Sequence, residues 1–137
     1  MKYPLQIQQY EKQVGDSLAI AIGETKGKAP FDRLRVIELA QAGQLPEAKE
    51  LLDQVRRSNG FLPGYSNPFD LHVVAIAHRM QEQYGIASIL YNLVEQAIED
   101  LGDRLPALNK KNPKELREKL SKLSKWVIED GSDRTGE

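Results

Sequence analysis

Cysteine is absent from the chain. Its absence excludes a disulfide framework, thiolate zinc sites and thiol nucleophiles, and it fits a reducing compartment. Histidine is nearly as scarce, with only His72 and His78 present. No apolar run approaches the roughly 18 residues that a membrane span needs. Met1-Lys2-Tyr3-Pro4-Leu5-Gln6 holds one lysine and no uninterrupted apolar stretch, so no secretory signal is expected. These absences predict a cytoplasmic chain without membrane contact. Net charge is also lacking: at −1, the protein has no bulk charge with which to coat nucleic acid.

What is present reads as one ordinary globular unit. Its 137 residues are 40% hydrophobic and 28% charged, which suits a single domain over about 1–130 with a frayed tail at 131–137. A chain of this length buries roughly two thirds of its unfolded surface and needs no disulfide or metal to fold.

Helical periodicity dominates, and Pro30, Pro46, Pro68 and Pro113 each stand where a first helical turn would begin. Asn67 and Asn112 precede two of them as N-caps, with Asp70 and Glu115 three residues on in the manner of a capping box. The spacing of Ile7, Tyr10, Val14, Leu18 and Ala21 predicts a helix over about 5–23. Gly15 weakens it, and a short strand at 18–22 is the rival reading. A helical hairpin follows over 31–42 and 46–57, turning at Gly43-Gln44-Leu45. It has the character of one solenoid unit, but no second copy is apparent at a fixed period. The next helix spans 68–84, with Phe69, Val73, Ile76, Ala77, Met80 and Tyr84 inward and Leu71 and Val74 on other faces; Gly85 then interrupts the chain. Ile86, Ile89, Leu90, Leu93, Val94, Ala97, Ile98 and Leu101 fill about half of a helical wheel, which predicts deep burial over 86–101. A last helix over 113–129 carries a narrow seam of Leu116, Leu120, Leu123 and Val127. The expected fold class is therefore all-α, a compact bundle or orthogonal array of about six helices.

Chemistry is hard to find in this pattern. His72 and His78 lie six apart, on different sides of one helix, and cannot share a metal from a single face. They read as surface or boundary residues, with His78 within reach of Glu82 and His72 beside Arg79. Glu95, Glu99, Glu115 and Glu118 read as solvated, and Gly23–Lys28 lacks the spacing of a phosphate-binding loop. No Ser-His-Asp set or inward Glu-x-x-His pair is apparent. The expectation is no catalytic residues, no metal and no cofactor.

Two surfaces remain. Residues 110–125 hold seven bases and two acids. Lys110, Lys111, Lys114, Arg117, Lys122 and Lys125 form a candidate basic surface that could meet a phosphate backbone or an acidic protein. A solvated face near a helix C-terminus accounts for the same lysines, and Trp126 beside them is either a stacking platform or a ring lying over the domain edge. The second surface is the loop at 58–67, where Phe61, Leu62 and Tyr65 follow Arg56 and Arg57 as a candidate docking tip. Folding back of those aromatics onto the core is the competing account. The leading functional expectation is a non-enzymatic helical interaction or assembly module, a small subunit or adaptor that pairs with a protein partner or with itself. A nucleic-acid-contacting subunit is the alternative, and a small enzyme or ligand carrier with a pocket near His72 or Tyr84 is the third.

Overall fold

A computed structural model of the chain describes the backbone of residues 4–23, 29–59, 68–101 and 113–135, and the side chains of 5–18, 35–54, 68–99 and 113–129. The described residues form six helices and no strand: α1 (Pro4–Gly23), α2 (Ala29–Gln41), α3 (Leu45–Asn59), α4 (Pro68–Met80), α5 (Tyr84–Leu101) and α6 (Pro113–Thr135). The all-α expectation holds, and residues 18–22 are helix. The final helix extends to Thr135, past Gly131, a residue that costs a helix only about 1 kcal/mol relative to alanine.

α1 packs against α2, α4 and α6, while α5 lies between α4 and α6 and α3 lies on the outside of α2. The core runs through Val14 and Leu18 of α1, Val36 and Ile37 of α2, Phe69 and Ile76 of α4, Tyr91, Val94 and Ile98 of α5, and the whole predicted seam of α6. α4 is buried from Pro68 to Val73 without a break, which fits its expected central place. Gly15 has a positive reason to be glycine: a Cβ there would stand 2.8 Å from Ile37 Cγ1, so a larger residue would force the Ile37 side chain of α2 to shift.

The α4–α5 junction differs from the expectation of a helix to residue 84 broken at Gly85. The chain turns at Gln81-Glu82-Gln83, and Gly85 sits inside the first turn of α5. The residue that ends α4 is Glu82, held at φ 62°, although left-handed backbone costs a side-chain-bearing residue about 1 kcal/mol. The turn also has a counterpart earlier in the chain. Gly43, at φ 79°, ends α2 in the same way, 39 positions before Glu82. In the first turn Gly43 N–H bonds to Ala40 O at 3.1 Å, Gln44 N–H to Leu39 O at 2.9 Å and Ala48 N–H to Gln44 O at 3.0 Å. In the second, Glu82 N–H bonds to Arg79 O at 3.0 Å, Gln83 N–H to His78 O at 2.9 Å and Ala87 N–H to Gln83 O at 3.0 Å. Both are Schellman helix ends in which the next residue's carbonyl opens the following helix. The pattern of buried and exposed positions over 42–48 recurs over 81–87. The two hairpins therefore share a turn geometry and a burial register 39 positions apart, built on different residues.

Candidate functional site

Polar side chains meet in the interior around Glu11 of α1, which is fully buried. Ile7, Glu11, Val14 and Leu18 share the core-facing seam of α1, so an acid occupies a position that apolar spacing assigns to a core residue. Arg79 of α4 donates through Nε to Glu11 Oε2 at 2.6 Å and through Nη2 to Oε1 at 2.8 Å, a two-pronged ion pair. Tyr91 of α5 donates its hydroxyl to Oε2 at 2.5 Å. Gln41 of α2 donates to Oε1 at 2.8 Å and to the Gln8 carbonyl at 2.9 Å. Each carboxylate oxygen thus accepts two donors, which fills the roughly four lone-pair sites of an ionised carboxylate. Helices α1, α2, α4 and α5 are tied at one point.

His72 of α4 joins the cluster from the side. Its Nε2 lies 2.8 Å from the Glu11 backbone carbonyl, and since a carbonyl only accepts, Nε2 carries the proton. Its ring meets Tyr91 edge to face at 5.9 Å. Nδ1 is left as a buried acceptor without a hydrogen-bond partner among the described residues. Burial lowers the proton affinity of His72, and the hydrogen bond and charge of Glu11 only partly oppose this. For Arg79, burial works against the charge, but hydrogen bonding and attraction to Glu11 outweigh it and raise its pKa. Burial, followed by the negative charge of Glu11, raises that of Tyr91, so the hydroxyl remains a donor.

The sequence expectation for the histidines is corrected here. His72 lies in the core rather than at the surface or boundary. His78 reaches Gln83 Oε1 at 2.5 Å rather than Glu82, because the turn intervenes. His72 and Arg79 do come together, both on Glu11. Glu11 itself was missed, since a search for apolar periodicity passes over an acid. Its signal is the four-three-four spacing of positions 7, 11, 14 and 18, the same as that of Leu116, Leu120, Leu123 and Val127. Among the described residues no group of three or more histidines, aspartates or glutamates is placed to hold a metal ion.

The basic helix is less uniformly positive than its sequence. Lys114, Lys122 and Lys125 are exposed, but Arg117 is turned to Glu99 of α5 at 3.8 Å and Lys125 lies 4.0 Å from Glu129. Lys119 contacts Glu115 at 3.2 Å. Trp126 packs its half-buried ring on Tyr10 of α1, 5.0 Å between centroids, at the edge of the domain. Lys110 and Lys111 fall outside the described residues. So do Phe61, Leu62 and Tyr65, while Arg56 and Arg57 belong to the backbone of α3 and their side chains are not described.

Burial of α5 is the largest correction. Its inner side is Ala87, Tyr91, Val94 and Ile98, all closed to solvent. Ile86, Ile89 and Leu93, read from the wheel as core, are 47%, 61% and 43% exposed. An apolar arc half a wheel wide exceeds what α4 and α6 cover, and the surplus faces outward as one stripe along two turns. Among the described residues no helix is long and apolar enough to cross a membrane. Comparison of the chain with protein-family models, with curated proteins and with solved structures finds no match.

Proposed function

We propose that this protein is an interaction or assembly module that binds another polypeptide through the outward stripe of α5. One observation carries the reading: Ile86, Ile89 and Leu93 stand exposed in a row on a helix whose other side is already packed. Large aliphatic side chains aligned at helical spacing form a contiguous apolar surface that gains by being covered, and covering the exposed half of each contributes about 1 kcal/mol. The buried polar cluster supports the same assignment. Glu11 has all four acceptor sites occupied from within the fold, so this buried cluster is spent on holding helices together.

The test is a double substitution, Ile89→Glu with Leu93→Glu, on full-length protein isolated with whatever polypeptide it holds. Native mass spectrometry should show the stoichiometric complex lost while helical circular dichroism is unchanged. A complex that survives both charges would refute docking at α5.

A second reading rests on the exposed Lys114, Lys122 and Lys125, which could follow a phosphate backbone. Glu115, Glu118 and Glu129 interleave them, and this weakens the field they project.

A further inference from the structure

We propose that α1 is an acid-sensitive latch, closed over His72 and released when that imidazole takes up a second proton.

The device stands on how the polar cluster is filled. His72 already donates its one proton, from Nε2, to the Glu11 backbone carbonyl. A second proton would enter at Nδ1, which is buried and has no hydrogen-bond partner among the described residues. No acceptor in the cluster is open to the N–H so formed. The Glu11 carboxylate oxygens are each taken by two donors, from Arg79, Tyr91 and Gln41.

Negative charge is spent in the same way. α1 brings the Glu11 carboxylate, which Arg79 of α4 already neutralises, and its Lys12 and Asp16 are exposed. α5 brings the Tyr91 hydroxyl, a donor. α2 brings the neutral Gln41, while its described charges, Arg35 and Glu38, pair with each other at the surface. Asp70, also buried on α4, stands two positions before His72 and so about 200° round the helix from it. A protonated imidazole is then a second cation in a cluster with one counter-ion, and an unpaired buried charge is costly.

α1 is the element placed to yield. It holds one edge of the ring: Nε2 lies 2.8 Å from the Glu11 carbonyl, and a Cβ on Gly15 would stand 3.7 Å from Cδ2. Once α1 lifts, that edge is uncovered and the side chain can turn to bring Nδ1 to water. The cluster's ties to α2, α4 and α5 all end on Glu11, so they are released together. Glu11 also interrupts the apolar seam of α1 between Ile7 and Val14, whereas the seam of α6 has no polar member. Burial lowers the proton affinity of His72 while α1 is docked; hydrated, the imidazole returns to about 6.5. Acid therefore favours release. Docking is at full strength above about pH 6.5, and below it the ratio of docked to released α1 falls about tenfold per pH unit.

Trp126, the only tryptophan in the sequence, reports on α1, because its ring packs on Tyr10 at 5.0 Å. Full-length protein is titrated from about pH 8 to about pH 5, the range in which histidine changes charge, with Trp126 emission and helical circular dichroism followed together. Emission should change with a midpoint below 6.5 while most helicity is kept. His72→Gln can still donate to the Glu11 carbonyl but binds no proton, and its emission should stay constant. Should that variant fail to fold, His78→Gln leaves His72 as the only imidazole. Its proton resonance should then titrate with the emission. Emission and helicity lost together would mean that acid unfolds the whole chain, which overturns the latch. So does constant emission in the wild type, a transition that survives His72→Gln, or a His72 resonance that titrates apart from the emission.

Discussion

The α2–α3 and α4–α5 hairpins share a turn, a hydrogen-bond pattern and a register of burial, yet their polarity is inverted. Inside the first hairpin stand Ala40 and Leu52; the equivalent positions in the second are Arg79 and Tyr91, both bound to Glu11. Outside, the first presents Glu47, Glu50 and Gln54, and the second presents Ile86, Ile89 and Leu93, all exposed. One backbone plan therefore tolerates either chemistry on either side. The apolar exterior of α5 is not demanded by the hairpin, since the first forms the same turn with acids there. Likewise the polar interior is not demanded by packing, since the first closes with aliphatic residues. The second hairpin fastens α1 from within and leaves an apolar surface without.

The largest expected effect comes from removing the fastening. Arg79→Met leaves the Glu11 carboxylate buried without its counter-ion, which costs about 3–5 kcal/mol. Urea denaturation measures it. Adding Glu11→Gln removes the stranded charge, so the double variant should be more stable than Arg79→Met alone; additive losses would contradict a coupled pair.

A smaller effect should appear with pH. His72 binds a proton less readily in the folded protein than its ordinary value of 6.5. The unfolded chain therefore takes up a proton that the folded chain refuses, and acid favours unfolding. The stability contributed by this group is whole above about pH 6.5 and falls below it, with a slope of about 1.4 kcal/mol per pH unit. His72→Gln should flatten the decline between about pH 6.5 and 5.5, and an unchanged slope would contradict burial of a neutral imidazole beside Glu11, Arg79 and Tyr91. The first hairpin places no described histidine in the core, so the sensitivity belongs to the second.

Much of this architecture was legible in the sequence, for identifiable reasons. α6 is readable because Leu116, Leu120, Leu123 and Val127 form a single unbroken seam, all buried. α5 was misjudged because a wheel counts apolar residues without saying which half meets neighbours. Its arc includes both the inner Val94 and Ile98 and the outer Ile89 and Leu93. The α4–α5 turn escaped notice because its left-handed residue is Glu82, where the first hairpin uses Gly43. Repetition was hidden for the same reason. Gln44, Ala48 and Leu51 match Gln83, Ala87 and Leu90, but Leu45 and Pro46 become Tyr84 and Gly85. Arg79 and Tyr91 carry no pattern of their own; only the fold brings them from α4 and α5 to Glu11 on α1.

The smallest expected change in stability tests the central claim most directly. Ile86→Glu, Ile89→Glu and Leu93→Gln together give α5 the outer residues of α3. If the stripe serves docking and not folding, unfolding of the dissociated variant in urea at low protein concentration should shift by no more than about 0.5 kcal/mol per site. A loss of about 2 kcal/mol or more at each site, the scale of emptying a packed core position, would mean that the stripe belongs to the interior and that the account is wrong.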